Sequence, residues 1–345
     1  LKTINDIARI AGVDKSTVSR ALNNSERISK KVREKIKKIA KELNYYPNAS
    51  AYSLRKKVNR SIAVVFPKMI FPGGEFFQEI LRGIDSIIQK QFFTILFTTY
   101  SNDDNSFLRI AMENRVDGAI IIGDVYTMDE LMKLDSLDLP QFIVNYKIIN
   151  HVKNLIDIYS DNERGGELVT EHLIKIHNRK KILFLGGGDQ YQANRLRFKG
   201  FMNVIKKYKK QGGSIKHDVV TGDFASSFRS AQDLIRSMCK EKKFDFDAVF
   251  AASDKLAMGV FNALAEQGIR VPEDVSLIGY DNNEVDAFFP VPITSVDQTA
   301  YLIGRLSSVE LMKKIMKKDA GPTESIAIQP ELVIRRSCGC GLKDQ

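Results

Sequence analysis

Along the first part of the chain the apolar positions fall into three short sets at helical spacing. These are Ile7, Ala8 and Ala11, then Val18, Ala21 and Leu22, then Val32, Ile36, Ile39, Ala40 and Leu43. Repeats at i, i+3 and i+4 give a helix one buried stripe. The polar residues between the sets mark the helix ends. Thr3 caps a first helix with Asp6 as its partner three residues on, and Gly12 stops it. Asp14, followed by Thr17, caps a second helix, and Ser29 opens a third. Three short helices around one small shared core are predicted.

From residue 61 the pattern changes. Continuous apolar runs recur at Ser61–Phe66, Phe92–Thr98, Ala119–Ile122, Phe142–Asn145, Ile182–Leu185, Ala248–Ala251 and Val275–Ile278, with helical stretches between them. Short runs buried on both faces and alternating with helices predict parallel, doubly wound sheets. The 285 residues of this part are enough for two such lobes. The expected fold is an α/β body of two doubly wound lobes behind an all-α head. Ligands on such sheets bind beyond the carboxyl ends of the strands. Several polar segments follow strand ends here, among them Gly186-Gly187-Gly188, Ser253-Asp254 and Gly279-Tyr280-Asp281.

Charge gives the head a purpose. Residues 1–60 carry sixteen Lys and Arg against five Asp and Glu, a net of +11 in a chain whose total is +10. The body is therefore close to neutral. A compact basic module on a neutral body is the electrostatic footprint of a nucleic-acid binder. On the second helix Lys15, Ser16, Ser19 and Arg20 face away from the core, as on a helix that enters a major groove. Lys15, Ser16 and Arg20 are expected to read bases, while Thr17 and Ser19 hold phosphates. After the head, Pro47 suits a first helical position, and Ala49 to Arg55 is long enough for about two turns. This segment is either a plain basic linker or a hinge helix that orders on DNA and drives Leu54 into the minor groove as an apolar wedge.

Thr3-Ile4-Asn5-Asp6-Ile7-Ala8, Ala11-Gly12-Val13, Ser16 through Asn23, and the Tyr46-Pro47-Asn48-Ala49 hinge with Ser53-Leu54 together resemble the LacI/GalR family of bacterial transcriptional repressors. The likeness runs on through the body to the Pro330–Gly339 tail. It implies a homodimer on a palindromic operator, with Lys15, Ser16, Thr17, Ser19, Arg20, Asn23, Leu54 and Arg55 at the DNA. Tyr52 departs from the arginine usual in that hinge. The resemblance also implies a periplasmic-binding-protein-like effector domain over 59–345, after a head and hinge over 1–58 (hinge helix about 47–56). In it, lobe 1 takes about 60–160 and 292–322, and lobe 2 about 161–291 and 323–338. The chain would cross between lobes near Asp161 and back near Pro290. Arg197 in its Arg-x-x-Gly-Phe run and Asp281 match the family's polar effector contacts. Phe224 matches an aromatic wall and Phe77 faces it from the other lobe, with Ser253, Asp254 and Asp161 as weaker matches. Arg and Asp with aromatic faces suit a sugar or sugar derivative, and would also suit a nucleobase such as a purine.

The remaining residues narrow the function classes. Four histidines (His151, His172, His177 and His217) show no nucleophile–base spacing, so no enzyme is expected. Cys338-Gly339-Cys340 has no second pair and no histidine nearby in sequence, which predicts neither metal nor cofactor. Three cysteines fit a reducing compartment. No apolar run approaches the roughly 20 residues of a membrane span, and the chain opens on the head rather than a signal peptide. A cytoplasmic regulator is expected rather than an exported sugar-binding transport protein. A protein co-regulator stays open alongside a small molecule.

Overall fold

A computed structural model describes the chain outside residues 1–2, 23–24, 26, 44, 46–58, 68–73, 102, 124–125, 149–151, 153, 187, 189–190, 222–226, 317–323 and 342–345. Asn23, Phe224 and the expected hinge with Tyr52, Leu54 and Arg55 lie outside the described residues. Two compact units result, Leu1–Arg60 and Ser61–Gln345.

The first unit holds α1 (Ile4–Ala11), α2 (Lys15–Leu22) and α3 (Lys30–Glu42). Their predicted stripes meet in one core of Ile7, Ala11, Val18, Ala21, Ile36, Ile39 and Ala40. The caps fall where the polar residues placed them. Asp6 accepts from the Thr3 backbone N–H at 2.8 Å and its hydroxyl at 3.0 Å. Gly12 ends α1 at φ +70°, a left-handed conformation that glycine adopts without a Cβ clash. Lys35 then donates to the Ala11 carbonyl at 3.0 Å, a cation at the negative end of α1.

The second unit begins with β1 (Ser61–Pro67), α4 (Glu75–Ile88), β2 (Thr94–Tyr100), α5 (Ser106–Met112), β3 (Gly118–Ile122), α6 (Met128–Asp135), β4 (Gln141–Val144) and β5 (Leu155–Ser160). It continues with α7 (Asn162–Glu171), one π-helical turn (His172–Ile176), β6 (Lys181–Gly186), α8 (Gln192–Lys210), β7 (Lys216–Thr221), α9 (Phe228–Lys240), β8 (Ala248–Ala251), α10 (Asp254–Glu266), β9 (Ser276–Ile278) and β10 (Ser295–Asp297). α11 (Ala300–Ile315), β11 (Ile326–Ile328) and β12 (Glu331–Val333) complete it.

Two parallel sheets carry the lobes, ordered β11-β5-β4-β3-β1-β2 and β7-β6-β8-β9. In both, the first strand in sequence lies inside and the second on an edge, so each has a switch point where crevices open at the carboxyl ends. Apolar clusters cover both faces of each sheet, led by Ile62, Val64 and Ile120 in one lobe and Phe184, Phe201 and Phe250 in the other.

The lobe boundaries need two corrections. The chain leaves the first sheet after β5, at Asp161, and it returns later than residue 292. β10 still pairs antiparallel with β12, and a bridge joins Thr294 to Ile278 of the second sheet. The return therefore falls at Gln298–Thr299. Nor does the tail belong wholly to lobe 2, because β11 pairs in parallel with β5 at the edge of the first sheet. A third crossing follows at Gln329–Pro330.

Candidate nucleic-acid interface and ligand cleft

On α2 the side chains divide as amphipathic spacing demands. Val18 and Ala21 are buried, whereas Lys15, Ser16 and Arg20 are exposed and Thr17 and Ser19 half-buried. Asp14 accepts from the hydroxyls of Ser16 (3.3 Å) and Thr17 (3.4 Å), which orients both at the start of the helix. Lys15, Ser16 and Arg20 thus leave the head on its open face, where nothing in the core competes for them.

In the second unit the positioning begins with glycine. A Cβ on Gly166 would overlap the Arg197 carbonyl, and one on Gly200 the Glu163 carbonyl. α7 and α8 can therefore touch backbone to backbone, and this fixes Arg197 on α8. Its Nε donates to Asn162 Oδ1 at 2.8 Å and its Nη1 to the Ala252 carbonyl at 2.5 Å. The guanidinium lies 3.7 Å from the centre of the Tyr280 ring, in cation–π contact. Asp281 stands 3.8 Å away and accepts from Gln298 Nε2 at 2.7 Å. Burial pushes the Asp281 carboxyl up to about 7, against the pull of Arg197. Burial also raises the Tyr280 phenol.

The remaining candidates are placed differently. Asp161 caps α7, its Oδ1 accepting from Arg164 N at 3.0 Å. Ser253 caps α10 through Leu256 N at 3.4 Å. Asp254 is wholly buried, with Oδ1 taken by Ser295 Oγ (2.6 Å) and Oδ2 by the backbone and side chain of Asn283 (3.0 and 3.1 Å). These two residues frame the loop after β9. A cleft of about 350 Å³ opens beside that loop, with Asp281, Asn282, Thr299, Phe76 and Glu79 in its wall. Phe76 presents an aromatic side chain there. Phe77 packs against Phe76 at 5.5 Å, and both rest on the first-lobe core.

Two contacts across the lobes escaped the sequence reading. Gln192 Oε1 accepts from Lys147 N and its Nε2 donates to Lys147 O, both at 2.8 Å. The Glu75 carboxylate accepts from Glu284 N at 2.8 and 2.9 Å. No motif marks either, because a backbone partner has no side-chain signature.

A basic three-helix head with an open-faced second helix, joined to two lobes around a polar cleft, defines a ligand-responsive DNA-binding regulator. Comparison with known proteins agrees. Residues 3–48 match the bacterial regulatory proteins of the lacI family, and residues 170–338 a periplasmic binding protein-like domain. The HTH-type transcriptional repressor PurR of Haemophilus influenzae is 31% identical over 343 residues, 98% of each chain. That of Vibrio vulnificus is 30% identical over 342 residues, 97% of this chain and 98% of its own. Among solved structures, the Lac repressor dimer bound to operator and the anti-inducer ONPF matches with TM-score 0.79, 24% identity and coverage of 98% and 99%. The transcriptional regulator CelR–cellobiose complex matches with TM-score 0.67, 26% identity and coverage of 98% and 100%. The chain belongs to the lacI family of bacterial regulatory proteins. It is a DNA-binding transcriptional repressor and not an enzyme. Among the described residues no helix is long and apolar enough to cross a membrane.

Proposed function

We propose that this repressor grips a palindromic operator as a homodimer and that a small hydroxylated effector, a sugar or sugar derivative, sets its operator affinity. At the DNA, Lys15, Ser16 and Arg20 read base edges and Thr17 and Ser19 hold phosphates, with Asn23, Leu54 and Arg55 completing the contact.

One observation carries the effector reading. Arg197 is a buried cation locked by Asn162, Ala252 and the Tyr280 ring, and 3.8 Å from it Asp281 keeps acceptor capacity that the chain does not use up. A donor and an acceptor this close match neighbouring hydroxyls on a ring, and Phe76 offers an apolar face to the ring itself. Further support comes from Asn145 Oδ1, Ser160 Oγ and Gln298 Oε1, buried at strand ends and crossings with no hydrogen-bond partner among the described residues. Buried polar atoms of this kind favour a polar ligand. The CelR relative, solved with cellobiose, is consistent with that class. Ligand held between the lobes favours one lobe arrangement over another, and operator affinity follows the shift.

The test is a thermal-shift screen of monosaccharides, disaccharides, sugar phosphates and purines, since a ligand of the native state raises its melting temperature. Each hit is then titrated into an operator complex followed by fluorescence anisotropy. A sugar that raises the melting temperature and alters operator affinity supports the reading. A purine that does both while no sugar does replaces it.

A further inference from the structure

The Cys338-Gly339-Cys340 tail has histidines beside it after all. His172 and His177 reach it from the end of α7, and one ligand atom from each of these four residues lies within 4.8 Å of every other. The sequence-based expectation of no metal site rested on the lack of a nearby histidine, and on that point the fold corrects it. Nor is the pair a loose tail, since Cys338 is wholly buried.

We propose that His172, His177, Cys338 and Cys340 form a closed tetrahedral site for Zn2+ that fastens the C-terminal loop to the end of α7. The spacing of three of the four ligand atoms fits the ion, and Cys338 Sγ, which donates to the Arg335 carbonyl at 3.6 Å, stands within 4.8 Å of them. A tetrahedron with Zn–N about 2.0 Å and Zn–S about 2.3 Å has edges of about 3.3–3.8 Å between ligand atoms. His172 Nε2 and His177 Nε2 are 3.1 Å apart, and Cys340 Sγ lies 3.7 Å from the first and 3.4 Å from the second. The ligand set also suits the metal, two thiolates and two imidazoles being borderline-soft donors.

Three local features build the site. The π turn His172–Ile176 carries an i+5 hydrogen bond from His177 N to the His172 carbonyl at 3.4 Å. Five residues along an α-helix point some 140° apart, so the wider π turn is what turns the two imidazoles toward each other, and π turns recur at functional positions. Gly339 takes φ +107°, and a Cβ there would press on the His177 ring at 3.2 Å. Only glycine lets the loop pass this close to the histidine. The loop is then held from the other side, Ser276 Oγ donating to the Cys338 carbonyl and Ser337 Oγ to that of Leu277, both at 2.6 Å. These anchors sit at the amino end of β9, the end opposite the ligand cleft, so the site is independent of the effector.

Four protein ligands leave no open position, which is the mark of a structural rather than a catalytic zinc. Binding converts both thiols to thiolates and releases two protons to solvent.

The full-length protein, reduced and stripped with chelator, is titrated with Co2+ as a spectroscopic probe. One equivalent should give the visible bands of a tetrahedral site and a near-ultraviolet thiolate-to-cobalt charge-transfer band of two-thiolate intensity, both erased by Zn2+. Cys340→Ser and His177→Gln, each folded by circular dichroism, should bind Zn2+ about a hundredfold more weakly. Cys239→Ser, on α9 and outside the cluster, should bind as wild type does. The proposal is overturned if folded wild type gives only the pale spectrum of octahedral cobalt, or if Cys340→Ser retains wild-type affinity. The wild-type cobalt spectrum decides the matter even if both ligand variants fail to fold.

Discussion

Arg197 lies 3.8 Å from Asp281, yet it spends its hydrogen bonds on Asn162 and the carbonyl of Ala252. The two residues share charge without using up each other's hydrogen-bonding capacity. Arg197 offsets part of the cost of burying the Asp281 carboxylate while leaving hydrogen-bonding capacity open on it.

Removing either partner should therefore uncouple the repressor. Arg197→Ala and Asp281→Asn are expected to abolish the response of operator binding to effector, because a buried polar partner left unmade costs about 1–3 kcal/mol. Ligand-free operator affinity should stay near wild type, since both residues belong to the second unit. Anisotropy titrations with and without effector measure both quantities. An unchanged effector response in both variants would move the site elsewhere.

Asp281 also links stability to pH. Burial pushes its native carboxyl up to about 7, well above the ordinary carboxylate range. The native state thus holds a proton that the unfolded chain has released. This contribution is fully present below about pH 4 and is lost as pH rises through 7. Urea midpoints of wild type should fall from pH 5 to pH 8 more steeply than those of Asp281→Asn. Parallel curves for the two proteins would remove Asp281 as the source.

For Arg20 the expected outcome is a change of specificity. An arginine bidentate to guanine is worth about 1–3 kcal/mol of discrimination, so Arg20→Ala should relax preference at one base pair in each half-site. Competition binding with single-base operator variants reads this directly. Equal weakening on all sequences would make Arg20 a phosphate contact.

The α7–α8 contact gives a prediction about framework rather than ligand chemistry. A methyl group on Gly200 meets the Glu163 backbone, which cannot swing away as a side chain would. Gly200→Ala should lower stability by about 1–3 kcal/mol and weaken effector binding, because Arg197 rides on the same helix. A Gly200→Ala protein with a wild-type urea midpoint would show that the helices can part without cost.

The head was legible because its caps stand at fixed offsets from apolar stripes, and Thr3, Gly12 and Ser29 are all found at helix ends. The body was legible wherever a strand is continuously apolar. β5 was missed because Asp157 interrupts it. That carboxylate is buried, accepting from Ile148 N at 3.0 Å and from the Ser325 hydroxyl, so only the folded state explains a charge in mid-strand. β7 was missed because it is an edge strand with alternate residues exposed. The motifs of Arg197 and Asp281 lie 84 residues apart and the fold brings them within 3.8 Å, whereas Asp254 at another strand end is held by Ser295 and Asn283. A strand-end acid looks the same in sequence whether it faces a ligand or clamps a loop. The cysteine–histidine cluster was invisible for a simpler reason, since its halves lie 163 and 168 residues apart.

The three passages between lobes, at Asp161, Gln298–Thr299 and Gln329–Pro330, mean that neither lobe corresponds to one uninterrupted stretch of gene. A fragment spanning 161–291 would lack β10 and β12, and one ending at residue 322 would lack the β11 edge of the first sheet. A chimaera that borrows the second lobe of a relative must accordingly be spliced at all three junctions. One that is spliced at two leaves one of the lobes with a strand inherited from the wrong parent.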